Sequence, residues 1–231
     1  LTADLDSEIL MARALNKDRK YLLLNSLQKI SDEDFTFYKK LISKRSLRKP
    51  VAQLINKKFF WKSEFYVNNY TLIPRPETEL IIENVIELTN HKNKLHVLDI
   101  GIGSGCILLS ILKEKKTFYG TGIDISKKCL NISKINALSL NVINRLKLFK
   151  SNVDKFSIGK YDLIVSNPPY INKRDLKYLE RDVANFEPRL ALDGGLDGLS
   201  EIRKVIKKSS ELIKKNGKFI LEIGFDQKNK V

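Results

Sequence analysis

The chain has 231 residues, enough for one large domain or two modest ones, with 42% hydrophobic content, and its net charge of +15 makes a cationic surface that suits an acidic partner such as RNA or a ribosome-bound complex. The lysines are spread from Lys17 to Lys230, a pattern that general solvation also explains. No apolar run approaches the ~20 residues needed to span a bilayer, the acidic start "LTADLDSEIL" is unlike a signal peptide, and Cys106 and Cys129 form no disulfide framework, as suits a reducing cytoplasm.

Short helices are expected first. "LDSEILMARALN" carries Ile9, Leu10, Ala12, Ala14 and Leu15 behind the candidate caps Asp6 and Ser7, and "SDEDFTFYKKLISKR" places Phe35, Tyr38, Leu41 and Ile42 on one stripe behind Ser31, with Asp34 completing a weak capping box. Residues 1–55 therefore read as a small helical domain that Pro50 brings to an end. In "FFWKSEFYVNNYTLI" the aromatic and β-branched residues and an Asn-Asn pair suit a β-ribbon, so residues 56–73 are expected to form a connecting hairpin. From residue 74 onward "RPETELIIENVIELTN" reads as a helix with Leu80, Ile81, Val85 and Leu88 on a common face. Five apolar strand-like runs follow at 95–100, 118–124, 145–151, 161–167 and 218–224, separated by helical stretches of which the last ends at Asn216-Gly217. This alternation predicts an α/β fold, a parallel sheet covered on both faces.

The first of these strands ends in "LDIGIGSGC". Gly101, Gly103 and Gly105 allow a tight turn that lets a ligand approach bare amides, with Ile102 and Ser104 between them and a helix N-terminus beginning near Ser104. The spacing is G-x-G-x-G. A nicotinamide fingerprint would need glycine at Cys106, and a phosphate loop would need a Gly-Lys pair. Asp124, ending the second strand, is placed to accept both hydroxyls of a ribose. In "KSNVDK" Asn152 can bond a base edge and Val153 can pack on its face. A ribose clamp without phosphate-gripping features suits S-adenosylmethionine, with Asp99 holding the loop or the methionine amino group.

The fourth strand runs into "NPPY" on the same edge. Pro168 and Pro169 donate no backbone hydrogen bonds and end the strand, so the carbonyls of Asn167 and Pro168 are expected to stay unpaired. If the Asn167 side-chain oxygen and the Pro168 carbonyl each accept one N–H of an amide or aromatic amine, the poorly nucleophilic nitrogen is aimed at the methyl group; Tyr170 walls the planar group.

"LIPRPETEL", "VLDIGIGSG", "GIDIS", "DLIVSNPPYI", "FEPRLALDGGLDGL" and "LEIGFDQ" together resemble the HemK/PrmC family of protein-(glutamine-N5) methyltransferases, over nearly the whole chain. The resemblance implies a Rossmann-like class I S-adenosylmethionine-dependent methyltransferase sheet behind a small N-terminal helical substrate-binding domain. It also implies methyl transfer to the glutamine of the Gly-Gly-Gln loop in peptide chain release factors. Its cofactor site falls on Gly101, Ile102, Gly103, Ser104, Gly105, Asp124, Val153 and Asn167. Its substrate site falls on Asn167, Pro168, Pro169 and Tyr170, with Asn167 and Pro168 catalytic. Gln53 and Asn56 depart from the aromatic and glycine usual there, and Asn152 replaces a usual aspartate. The family fold continues through two strands beyond Val231, so C-terminal strands are expected to be missing. Asn-Pro-Pro-Tyr also occurs in nucleic-acid amino methyltransferases, which keeps adenine or cytosine as the alternative substrate.

Pro76, Glu77 and Thr78 suit a helix start, and by resemblance that loop also covers the cofactor. Glu187 and Arg189 are expected to form an ion pair. Trp61 is expected to pack in the hairpin, His91 and His96 to lie at the surface or a strand edge, and no metal site is foreseen. A cytoplasmic monomer is expected.

Overall fold

The computed structural model describes residues 3–231. Four helices come first: α1 (Ala3–Ala14), α2 (Arg19–Leu24), α3 (Asp32–Ser46) and α4 (Val51–Ile55). They meet on Leu10, Leu41 and Leu54, with Tyr38, Ile42, Val51 and Ile55 packed around them, while Phe35 of the expected stripe stays exposed. Ser31 caps α3, accepting the Asp34 N–H at 3.1 Å. Asp6 and Ser7 are not caps, because α1 already begins at Ala3. They bond across the bundle instead, Asp6 to Arg45 at 2.7 Å and Ser7 to the Tyr38 hydroxyl at 2.6 Å.

Strands β1 (Lys57–Phe60) and β2 (Ser63–Tyr66) pair antiparallel. Their turn falls at Trp61-Lys62, with Trp61 at φ 53°, and not at Asn68-Asn69. Asn68 instead makes a local turn, accepting the Tyr70 N–H at 2.9 Å. Asn56 sits at φ 58°, a left-handed conformation that asparagine tolerates better than most residues. Its side chain then donates to the Val67 carbonyl at 3.1 Å, closing the base of the hairpin. Trp61 is half-buried and donates through Nε1 to Glu114 at 2.9 Å.

The remainder alternates: α5 (Glu79–Leu88), β3 (His96–Ile100), α6 (Cys106–Glu114), β4 (Tyr119–Asp124), α7 (Lys127–Ser139), β5 (Leu146–Lys150), β6 (Tyr161–Ser166), α8 (Arg181–Phe186), α9 (Ser200–Leu212) and β7 (Ile213–Leu221). The five strands from β3 onward form one sheet in the order β5-β4-β3-β6-β7, every pair parallel. Strand side chains alternate between its two faces. Val97, Leu163 and Val165 pack with α5, α6, α7 and the hairpin, whereas Leu98, Ile100 and Ile164 pack with α9 through Val205 and Leu212. This is a Rossmann-like open α/β sheet behind an N-terminal helical bundle. The strand order reverses between β3 and β6, so their carboxyl ends diverge into a crevice where such sheets take their ligands.

Two elements differ from the sequence reading. α5 buries Ile81, Ile82 and Val85, leaving Leu80 and Leu88 exposed, and Pro76–Thr78 forms a separate 3-10 turn before it. α9 ends at Leu212, before Asn216-Gly217, because Ile213 already pairs with Tyr161. The extra residues form an irregularity in which Asn216 takes φ 63°, and a Cβ on Gly217 would meet the Asp162 carbonyl at 3.1 Å.

Candidate active site

β3 delivers the chain to the glycine turn. Gly101 and Gly103 have φ 81° and 56°, and a Cβ on Gly101 would meet nothing within 4 Å, so the backbone here borders open space. Gly105 serves packing: a Cβ there would come within 2.7 Å of the Leu109 side chain. Ile102 and Ser104 are buried under the turn, and α6 starts at Cys106, two residues later than expected. The turn is held from α7, where Ser133 donates to the Gly103 carbonyl at 2.8 Å. Asn136, fully buried, donates to the Ser104 carbonyl at 2.8 Å and the Tyr66 carbonyl at 3.0 Å while accepting the Tyr66 N–H at 2.7 Å. One carboxamide thus ties the glycine turn to the hairpin.

Asp124 closes β4 beside this turn. Its carboxylate accepts the Gly103 N–H at 3.0 Å and the Ser126 N–H at 2.8 Å, and burial raises its pKa against those bonds. Asp99 lies beneath, 1% exposed, and neither of its oxygens has a hydrogen-bond partner among the described residues. Burial pushes its carboxyl up to about 7, the Leu108 amide opposing the rise and Asp124 adding to it. After β5, Asn152 caps a 3-10 turn: its Oδ1, expected to meet a base, accepts the Asp154 N–H at 3.0 Å. Val153 is half-buried against the α9 side of the core.

The Asn-Pro-Pro-Tyr corner stands across the crevice. The Ser166 carbonyl accepts the Glu222 N–H at 3.0 Å. Among the described residues no hydrogen bond ends on the carbonyls of Asn167 or Pro168, where two consecutive prolines end the strand. Asn167 donates through Nδ2 to the buried Thr78 hydroxyl at 3.2 Å. The Tyr170 hydroxyl donates to Glu222 Oε1 at 3.2 Å, and burial together with that carboxylate pushes the phenol up to about 12. Asp99 and Glu222 both act electrostatically on the Cys106 thiol, which burial pushes up to about 12, so the two halves of the site share one neighbourhood.

A glycine-rich loop backs the corner. A Cβ on Gly194 would lie 2.9 Å from the Pro169 carbonyl, and one on Gly198, at φ 75°, would lie 2.6 Å from the Tyr170 carbonyl. Gln227 bridges the same parts, donating to the Tyr170 carbonyl at 3.0 Å and the Gly198 carbonyl at 3.1 Å. Glu187 does not pair with Arg189, which instead faces Asp193 at 3.7 Å. Buried Glu187 bonds Arg75 at 2.5 Å and the Ile73 N–H at 2.9 Å, strapping the loop before α5 to the segment after α8. Sequence reasoning missed Glu222, Gln227, Asn136 and Ser133, and gave Thr78 a helix-start or cofactor-covering role. A carboxylate ending the apolar run "KFILE" was the one local signal for Glu222.

The chemistry of this donor set fits a nucleoside-bearing methyl donor: open glycine backbone, a carboxylate at the end of the second sheet strand, and an unpartnered buried carboxylate able to face a cation. With the strand order and the Asn-Pro-Pro-Tyr corner, these features define a Rossmann-like methyltransferase. Residues 76–197 match the methyltransferase small domain family, and residues 1–55 match the PrmC N-terminal domain. A release factor glutamine methyltransferase of Caulobacter vibrioides is 36% identical over 228 residues, covering 98% of this chain and 79% of the relative. A bifunctional methyltransferase of Rickettsia prowazekii is 35% identical over 246 residues, covering 98% of this chain. The chain belongs to the release factor glutamine methyltransferase family. It spans about half the length, 48%, of the Rickettsia relative. Among solved structures, precorrin 8w decarboxylase of Methanobacterium thermoautotrophicum superposes with a TM-score of 0.50 at 14% identity over 72% of this chain and 73% of that one, a likeness of fold.

Proposed function

We propose that this chain transfers a methyl group from S-adenosylmethionine to the side-chain amide nitrogen of the glutamine in the Gly-Gly-Gln loop of a peptide chain release factor. The observation that carries the reading is the corner itself: a carboxamide held through its nitrogen at 3.2 Å, next to backbone carbonyls that no hydrogen bond among the described residues consumes. Such a pair of acceptors, Asn167 Oδ1 and the Pro168 carbonyl, matches the two N–H groups of a primary amide. Holding both orients the nitrogen and stabilises the positive charge that develops on it, so no strong base is needed before transfer; the methylated nitrogen, made acidic by its charge, then releases one N–H proton to solvent. Pro169 and Tyr170 wall the planar group.

The methyl donor is held by the turn from Gly101 to Gly105, with Ile102 and Ser104 buried beneath it, and by Asp124, Val153, Asn167 and Asp99. When bound, S-adenosylmethionine supplies an activated methyl on a cationic sulfur that leaves as a neutral thioether. Residues 1–55 serve as the substrate-binding unit, 56–73 as the connector and 74–231 as the catalytic unit. A cleft of about 660 Å³ between the first three helices, lined by Met11, Tyr21, Leu22, Ile30 and Tyr38 among others, supports a gripping role for the bundle. The chain acts as a cytoplasmic monomer, its basic surface serving encounters with RNA or the ribosome.

The deciding experiment incubates the chain with labelled S-adenosylmethionine and a folded release factor, and localises the label by mass spectrometry. One methyl group on the Gly-Gly-Gln glutamine is expected. Label entering only nucleic acid would overturn the reading in favour of an adenine or cytosine amino methyltransferase.

A further inference from the structure

Asn167 can present either end of its carboxamide to the crevice, and only one end suits the proposed reaction. A substrate amide offers N–H donors, so Oδ1 must face it and Nδ2 must point inward. What fixes that choice lies behind the corner. Thr78, 2% exposed, stands where Nδ2 donates to its hydroxyl oxygen at 3.2 Å. A hydroxyl that accepts there still carries its own proton, which, on a side chain this buried, needs an acceptor within the fold. Glu222 supplies one. Its Oε1 receives the Tyr170 hydroxyl at 3.2 Å, while its Oε2 is buried and has no partner among the described residues. Burial raises its pKa, with the nearby Glu77 adding to the rise, and Thr78, Tyr170 and Asn167 are the groups that pull it back down by hydrogen bonding the carboxylate.

We infer that Glu222 and Thr78 form an acceptor chain, Asn167 Nδ2–H to Thr78 Oγ1 and Thr78 O–H to Glu222 Oε2, that locks the Asn167 carboxamide with its oxygen toward the substrate. Both are positioning residues, since they act through Asn167. The chain joins the end of β7 to the 3-10 turn before α5, and it also tethers Tyr170, so one carboxylate sets both side chains of the corner. The inference rests on the methyl-transfer reading above, and it sharpens that reading by making the site selective for an N–H-bearing group.

The test uses the whole chain, with release-factor methylation by the wild type established first, so that failure of the proposed activity is seen before any variant is compared. Should the wild type methylate another amide or amino group instead, the same series is run on that acceptor. Thr78→Val removes the hydroxyl at nearly constant volume, Thr78→Ser retains it, and Glu222→Gln removes the charge. Thr78→Val is expected to lower kcat by roughly 10- to 100-fold, with the KM for S-adenosylmethionine and its affinity by calorimetry changed less than about threefold. Thr78→Ser should restore kcat to within about threefold of wild type. Glu222→Gln should lower kcat about tenfold, and the double variant Thr78→Val/Glu222→Gln should be no slower than Thr78→Val alone, as members of one chain require. Equal kcat for Thr78→Val and wild type, a loss confined to KM, no rescue by serine, or losses that multiply in the double variant would each overturn the inference. Should Thr78→Val fail to fold, Glu222→Gln and Thr78→Ser, compared by the same kcat and KM split, decide it.

Discussion

Replacing Asp99 by asparagine keeps the shape of the side chain and removes a charge that the fold buries without a hydrogen-bond partner among the described residues. Burial raises this carboxyl from 3.8 to about 7. In the unfolded chain it ionises near its ordinary value, so between roughly pH 4 and 7 the native state keeps a proton that the unfolded state has lost. Its contribution to stability is therefore complete at low pH, declines as pH rises through that window, and is gone above it. At about 1.4 kcal/mol per tenfold change the full swing is about 4 kcal/mol, of which somewhat more than half falls between pH 5 and 8. Melting of wild type and Asp99→Asn at pH 5, 6, 7 and 8 reads this directly. The variant should gain on the wild type as pH rises, by roughly 5–10 °C in Tm over that span for a chain of this size. A Tm difference that stays constant from pH 5 to 8 would refute the assignment. In the proposed site the same substitution also weakens S-adenosylmethionine binding, by about tenfold, because a fixed negative charge is lost beneath the glycine turn.

Asn167→Ala should lower kcat by at least about 100-fold while calorimetry finds S-adenosylmethionine affinity, to which this side chain also contributes, lower by no more than about tenfold; equal loss of both would contradict the role given to this side chain. Gly198→Ala places a Cβ 2.6 Å from the Tyr170 carbonyl at φ 75°, so denaturant titration should show a loss of about 2–4 kcal/mol, together with impaired turnover from a displaced corner. Asn136→Ala strands the Ser104 carbonyl and both backbone groups of Tyr66; about 3 kcal/mol of stability should disappear, and hydrogen exchange should accelerate in the hairpin and the glycine turn together.

The sheet was legible because its central strands β3, β4 and β6 are apolar runs buried on both faces, and the glycine turn because open backbone at positive φ leaves a mark in composition. The corner was legible too, since two prolines lack the N–H groups to continue a strand and so end it there. What escaped was whatever depends on partners far along the chain. Glu222 meets Tyr170 across 52 residues, Gln227 reaches Tyr170 across 57, and Glu187 reaches Arg75 across 112, with no local periodicity to announce any of them. Glu187 and Arg189 looked like a pair because they are neighbours in sequence, yet a carboxylate only 1% exposed takes the partner that the tertiary fold brings to it. The end of α9 was misplaced for a related reason: Asn-Gly suggests a helix stop, but pairing of Ile213 with Tyr161 claims the backbone first.

Arg45 joins α1 to α8, bonding Asp6 at 2.7 Å and Asp182 at 2.6 Å, while Gln53 of α4 donates to the Phe186 carbonyl at 2.9 Å. α8 follows Tyr170 and precedes Glu187 on a single stretch of chain. The helical bundle and the reactive corner are thus two ends of a short mechanical linkage, and any tilt of the bundle must either break one of these bonds or drag the stretch that carries the corner. A partner that loads the helices would register at the chemistry some distance away.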